Sequence, residues 1–155
     1  MFKTSRISYG GSAAIATSMA LVSGLGAAGA MKPVVASALL IAALADNLTD
    51  SLSIHIFQES EQLDQKEAFA GTVSNFVTRL LVCLSFILLV WLLPVSVALG
   101  LIIAWGMLLL AALTFLVARE RKVGAFLEVV KHLLVAASVV VVSKAIGSWI
   151  STALK

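Results

Sequence analysis

Two aspartates, Asp46 and Asp50, lie four residues apart in a stretch that is otherwise largely apolar. Residues at this spacing share one face of a helix. An aspartate at the centre of a membrane-spanning helix costs about 2.5–3.5 kcal/mol, so such residues usually have a functional or pairing role. Carboxylate oxygens bind hard divalent cations, and protons can use the same groups. We therefore predict a metal or proton pathway at Asp46 and Asp50 that reaches Glu61 and Asp64 if the helix continues unbroken.

Other residues bear on how these acids are used. Asn47 neighbours the acidic face and offers either an amide oxygen to the pathway or a hydrogen bond to another helix. The acids can instead be structural, paired with a cation from another helix. Arg79 and Lys144 are the candidates for that ion pair. The spacing alone leaves both interpretations open.

The chain contains no recognisable catalytic motif. It has no Gly-x-Ser-x-Gly sequence, no phosphate-binding loop, no Cys-x-x-Cys and no His-Glu-x-x-His. We therefore expect no enzymatic activity and no tightly bound cofactor, and a divalent metal ion would be a substrate. Transport by this chain would be passive or coupled to an ion gradient.

Composition indicates the environment of the helix that carries these acids. Hydrophobic residues make up 61% of the 155 residues and charged residues only 12%, against about 25% charged in soluble domains. These values exclude a soluble globular enzyme, a disordered tail and a disulfide scaffold. The net charge of +3 comes from basic residues scattered among apolar runs, which favours membrane topology over nucleic-acid binding.

Apolar segments long enough to cross a bilayer recur along the chain. A spanning helix needs about 20 apolar residues. The sequence predicts an all-α polytopic membrane protein with five transmembrane helices in one membrane domain, 1–155. The predicted helices are 12–31, 34–57 continuing to about 64, 76–93, 97–118 and 125–150, with 58–75 as a short cytoplasmic acidic segment.

The basic residues also predict the orientation, because Lys and Arg concentrate in cytoplasmic loops. With five spans, the N-terminus shares one side with the second and fourth connections. Only Lys32 and Lys155 fall on the other side. Eight basic residues fall on or near the side of the N-terminus: Lys3, Arg6, Lys66, Arg79, Arg119, Arg121, Lys122 and Lys131. We predict a cytoplasmic N-terminus and a non-cytoplasmic C-terminus.

The first predicted helix is rich in Ala, Ser and Gly. Its Gly24 and Ala28 form a small-xxx-small pair, which lets two helix backbones approach closely. This pattern fits packing within one bundle and fits dimerisation equally well.

Two segments resemble vacuolar iron transporter-like proteins. Ala20–Ala28 is similar to that family's Ala-Leu-Val-Ala-Gly stretch, and Ala43–Ser53 is similar to its Ala-Leu-Ser-Met-Ala-Ala-Gly-Glu-Tyr-Val-Ser. In this register Asp50 matches the family's Glu and Asp46 takes the place of its Met. The last two helices, 113–122 followed by 133–150, also look like those of the family.

The resemblance implies a homodimer of five-helix protomers in membrane lipid, with a metal path along the two-fold interface. It implies proton-coupled export of manganese or ferrous iron from the cytoplasm. Ala13 stands where the family has an Asp and the Met is replaced, so an all-carboxylate site would favour manganese or protons. The alternative is a non-transporting membrane subunit or scaffold whose intramembrane acids pair with a basic partner helix.

Overall fold

The computed structural model describes residues 4–61 and 64–154 of the chain. These residues form six α-helices and one π-helical turn, joined by short connections. The elements are α1 (Thr4–Ala27), α2 (Lys32–Ile41), the π turn (Ala42–Asp46), α3 (Asn47–Ser60), α4 (Gln65–Leu92), α5 (Val95–Glu120) and α6 (Ala125–Ala153).

Five helical spans are long and apolar enough to cross a membrane. Helix α2, the π turn and α3 form one of them, a continuous span of 29 residues from Lys32 to Ser60. The other four are provided by α1, α4, α5 and α6. The prediction of an all-α chain with five helices long and apolar enough to span a membrane is therefore confirmed for the described residues, and it is consistent with a multi-pass membrane protein. Several helices are longer than predicted.

Helix α1 lies at the centre of the bundle and packs against α4, α5 and α6. Small residues make this possible. A Cβ atom added at Gly147 of α6 would lie 2.0 Å from the Gly24 carbonyl oxygen, so α1 and α6 approach backbone to backbone. Gly24 thus serves packing within the bundle, which the sequence could not distinguish from dimerisation.

The bundle has a small core and a large apolar exterior. Met19, Leu39, Phe86 and Ile102 are fully buried, whereas many large apolar side chains on every span except α1 are exposed. Only 6% of the most apolar window of α6 is buried. This distribution fits helices whose outer faces contact lipid rather than water.

Helices α3 and α4 form an antiparallel hairpin, which corrects the predicted boundaries. The helix that carries the acids ends at Ser60 instead of continuing to about residue 64, and α4 begins at Gln65 rather than at 76. The 58–75 segment is therefore mostly the two arms of this hairpin. Ala68 and Gly71 are buried where α4 meets α3, and the Gln58 side-chain amide lies against Gly71, so packing sets the turn.

Successive spans alternate in direction. The start of α1, the α3–α4 connection and the α5–α6 connection lie at one end, which carries Arg119 and Arg121 and is called the basic end below. At the other end the Lys32 ammonium donates a hydrogen bond to the Leu93 carbonyl. Lys3 and Lys155 lie outside the described residues, and the orientation of the termini stays a prediction.

Candidate functional site

The two aspartates of the second span share one guanidinium group from α4. Arg79 Nη1 donates a hydrogen bond to Asp50 Oδ2 at 2.7 Å, and Arg79 Nη2 donates one to Asp46 Oδ2 at 2.9 Å. Of the two cations considered as pairing partners, Arg79 is the one the structure brings to the acids. We call Asp46, Asp50 and Arg79 the triad.

The triad lies at the middle of both helices that carry it. Asp46 is 14 residues from each end of Lys32–Ser60, and Arg79 is 14 and 13 residues from the ends of Gln65–Leu92. At 1.5 Å per residue this places the charges about 20 Å from either end of these spans. Both helices are longer than the roughly 30 Å of hydrocarbon in a bilayer, and Arg79 packs against Gly10 near the start of the candidate span Tyr9–Ala27. The triad therefore lies within the membrane-spanning part of the bundle, toward its basic end.

Burial differs sharply across the triad. The Arg79 side chain is 5% exposed, Asp50 is 27% exposed and Asp46 is 55% exposed. The guanidinium is held inside the α3–α4 hairpin, while Asp46 opens onto the outer face of the second span. Asp50 lies between these two environments.

A π turn ends at Asp46, the first residue of the triad, and determines which side of the helix the following residues face. Residues four apart drift around an α-helix because one turn holds only 3.6 residues. The wider π turn reverses that drift. As a result one line of buried residues runs along the helix face that meets α4, and Asp46 lies at the edge of that face. The line consists of Leu39, Ala43, Asn47 and Ser51. Nothing in the composition of Ala42–Asp46, which is Ala-Ala-Leu-Ala-Asp, signals a π turn.

Polar side chains continue between α3 and α4 from the triad toward the basic end. Asn47 Nδ2 donates to the Phe76 carbonyl at 2.9 Å, and Asn75 Nδ2 donates to Ser51 Oγ at 3.4 Å. Closer to the basic end, Thr72 Oγ1 lies 3.4 Å from His55 Nδ1. We call Asn47, Ser51, His55, Thr72 and Asn75 the polar seam.

Several polar atoms along this hairpin are buried without a protein partner in the part of the chain that the structure describes. They are Asn47 Oδ1, Asn75 Oδ1, Gln58 Oε1 and Arg79 Nε. A buried polar atom left unsatisfied costs about 1–3 kcal/mol, and such atoms are commonly satisfied by bound water. Two of these atoms, Asn47 Oδ1 and Asn75 Oδ1, belong to the seam, which therefore offers hydrogen-bond acceptors to bound water.

Glu61 and Asp64 do not extend the acidic face as predicted. Glu61 is exposed just after the end of α3, and Asp64 is exposed at the start of α4 with extended backbone geometry. Because the helix ends between the triad and these residues, they belong to the hairpin connection. The seam ends instead at His55, whose Nε2 lies 3.4 Å from Glu59 Oε1.

Lys144 lies away from the acids. It is exposed on α6, which packs against α1 and α5. Within the described ranges it forms no ion pair, whereas both carboxylates already contact Arg79. Ala13 also points elsewhere, because it lines a groove between α1 and α6.

The described part of the chain does not by itself assemble a complete metal site. Among residues 4–61 and 64–154 there is no group of three or more His, Cys, Asp or Glu side chains that could hold a metal ion. Asp46 and Asp50 offer two carboxylates, and Asn47 Oδ1 is an unpaired amide oxygen nearby. A divalent cation at this position would have to displace the guanidinium from a carboxylate or gain further ligands.

Asn75 belongs to the site, although its role was not predicted from the sequence. It lies four residues before Arg79 on α4, matching the spacing of Asp46 and Asp50 on the second span. Two polar residues four positions apart on each of two successive spans are a sequence signal that could have predicted the contact between these spans. Gly10 of α1 leaves room for this side chain, since a Cβ there would lie 2.2 Å from Asn75 Oδ1.

Comparisons with protein-family models, curated proteins and solved structures give no match to this chain. The resemblance to vacuolar iron transporter-like proteins therefore stays a prediction from the sequence.

Proposed function

We propose that this protein is a membrane transporter for a divalent cation and that the triad is its intramembrane site. The observation that carries the proposal is a charge imbalance at mid-span. Two carboxylates share one guanidinium, which leaves a formal charge of −1 where charge is expensive. A single ion pair would satisfy a purely structural requirement, so the second carboxylate calls for a further cation.

Arg79 acts in this proposal as the internal counter-charge of the empty site. It holds both carboxylates by charge-assisted hydrogen bonds. An arriving divalent ion competes with the guanidinium for these oxygens and takes over at least one carboxylate. Asp46 is the more accessible ligand because its side chain is the more exposed of the two.

The cargo we favour is manganese, with ferrous iron as the second candidate. Carboxylate and amide oxygens select harder ions, and Asn47, next to Asp46 in the sequence, offers a buried amide oxygen without a hydrogen-bond partner among the described residues. The resemblance stated above supplies the remaining parts of the proposal: export from the cytoplasm, coupling to protons, and a homodimer that brings two sites together. The polar seam would provide access from the basic end.

A second function, in a different class, is favoured by a specific contact. Both carboxylates already have a partner in Arg79, and Asp46 remains partly open on the outer face. A non-transporting subunit could use this opening to pair with a basic helix of another membrane protein. In that role the triad determines assembly and carries no ion.

Flux measurements on purified protein in proteoliposomes separate the two functions. We expect uptake or release of manganese, and less of ferrous iron and calcium. Asp46→Asn leaves a balanced Asp50–Arg79 pair, so the variant should fold and yet lose transport. Glu120→Gln at the end of α5 removes an acid outside the site and is the matched control. A wild-type protein that moves none of the three ions, and whose Asp46→Asn variant loses a membrane partner, would establish the scaffold function instead.

A further inference from the structure

A cavity of about 350 Å³ lies between α1, α5 and α6 toward the basic end, whereas Arg79 of the triad packs against Gly10 on another face of α1. Polar side chains line it, among them Tyr9, Thr114, Arg121 and His132. A second cavity of about 460 Å³ shares Tyr9 and His132 with the first. We call the first the polar cavity and the second the apolar groove, and together they form one continuous depression.

The two parts of the depression together carry a formal charge of +1, from Arg121 and Lys131 against Glu128. In the part of the chain that the structure describes, Arg121 forms no ion pair. Glu128 is paired with Lys131, whose Nζ lies 3.1 Å from Glu128 Oε1. His132 Nδ1 donates to the Glu128 carbonyl at 2.8 Å, which fixes the ring orientation at the cavity wall. Within the described residues the Glu128 carboxylate is hydrogen-bonded to Lys131 and not to Arg121, so the Arg121 guanidinium keeps its hydrogen-bond donors available in this cavity.

The apolar groove extends from the polar cavity along α1 and α6. Its walls are small or aliphatic side chains: Ala13, Ala16, Leu110, Val135 and Val139. From Lys131 to Val139 the groove follows eight residues of α6, about 12 Å along the helix axis. A ligand that fits both parts must carry an anionic head group and an apolar chain.

We propose that this depression binds one anionic phospholipid, with its phosphate at Arg121 and an acyl chain in the apolar groove. Basic pockets between transmembrane helices are suited to acidic lipid head groups. Tyr9 and Thr114 add hydroxyl groups to the polar cavity. The groove distinguishes a lipid from a free phosphate, because a free phosphate would leave these apolar walls uncovered. The site is independent of the proposed transport function.

The head-group interaction is tested by lipid binding to the purified full-length chain in neutral detergent, measured by native mass spectrometry. We expect phosphatidylglycerol to bind at least about fivefold more tightly than phosphatidylcholine with the same chains, the ratio that one basic residue near the surface provides. Arg121→Gln should remove this preference. Lys122→Gln, which removes the same charge one residue away and outside the cavity, should retain it. Equal affinities for the two lipids, or an equal loss in both variants, would overturn the proposal.

The acyl-chain interaction is tested by filling the groove. Val139→Phe should weaken phosphatidylglycerol binding severalfold, while Val141→Phe, at a side chain that is 65% exposed, should not. Thermal unfolding of both variants verifies that they are folded. Unchanged binding by Val139→Phe, or displacement of the lipid by an equal concentration of inorganic phosphate, would show that the groove contributes nothing and would refute a lipid site.

Discussion

Replacing Arg79 by glutamine tests the charge arrangement of the triad directly. The substitution leaves Asp46 and Asp50 without a counter-ion in the middle of two membrane spans. Removing one partner of a buried ion pair costs about 3–5 kcal/mol, because the remaining charge is buried without compensation. Arg79 is 5% exposed and Asp50 is 27% exposed, so this interaction qualifies as largely buried. We expect Arg79→Gln to lower the free energy of unfolding by about 3 kcal/mol or more.

Asp46→Asn should be far less damaging. Asp46 is 55% exposed, and an asparagine carbonyl oxygen can still accept the hydrogen bond from Arg79. The remaining Asp50–Arg79 pair is balanced in charge. Pairs in exposed positions contribute about 1 kcal/mol or less, so the loss of unfolding free energy should stay near that value.

The assay is reversible unfolding by SDS in mixed micelles, followed by circular dichroism. Combining Arg79→Gln with Asp46→Asn and Asp50→Asn removes all three charges, and this triple variant should recover at least about 2 kcal/mol of the loss, since no unpaired charge remains. Arg119→Gln is the matched control. Arg119 lies over the Phe115 ring at 5.4 Å, so its loss should cost about 1 kcal/mol or less. A triple variant no more stable than Arg79→Gln alone would refute the reasoning.

Three further outcomes follow from the packing and topology. Gly147→Ala should lower the free energy of unfolding by about 1–3 kcal/mol, since the new Cβ would overlap the Gly24 carbonyl oxygen. Gly100→Ala is the control: a Cβ there would have nothing within 4 Å, so this variant should be neutral or slightly stabilising in the same SDS titration. Cys83 is 4% exposed, so a maleimide should label it in step with unfolding, and rapid labelling of the folded protein would contradict its burial. A reporter inserted at 121–124 should be cytoplasmic and one fused after Ala153 should not; both on one side would contradict the span count.

The number of spans was predictable because the bilayer imposes a simple rule on composition. Each span must be apolar over about 20 residues, and this can be counted without knowledge of packing. The helix ends were less predictable. Nothing between Ser60 and Gln65 breaks a helix by composition, since the stretch contains neither Pro nor Gly. The turn forms there because α4 must return along α3, with Ala68 and Gly71 at the contact.

The candidate site was predictable only in part, for a similar reason. The spacing of Asp46 and Asp50 indicated that they share a face, but the partner of that face depends on which helices are neighbours. Arg79 and Lys144 were equivalent candidates in the sequence. Tertiary packing places α4 beside α3 and places α6 on α1 and α5, so only Arg79 reaches the acids. The π turn that aligns Asn47 and Ser51 toward α4 has no signal in composition.

The exposure of Asp46 constrains the state of the protein in a membrane. A carboxylate that is 55% exposed at mid-span cannot face hydrocarbon without a large cost. Thr49 and Ser53 lie beside Asp46 and are also exposed, whereas further round the helix the outer surface is apolar, with Leu48 and Leu52 more than half exposed. This face must therefore be covered by protein or opened to water.

A second copy of the chain would supply two more carboxylates and a site with enough oxygens for a hard cation, as the proposed transporter requires. A basic helix of another protein would neutralise Asp46 and leave no room for an ion. The oligomeric state of Asp46→Asn distinguishes these cases, because a dimer held by apolar contacts should survive the substitution, whereas a complex held by an ion pair should dissociate.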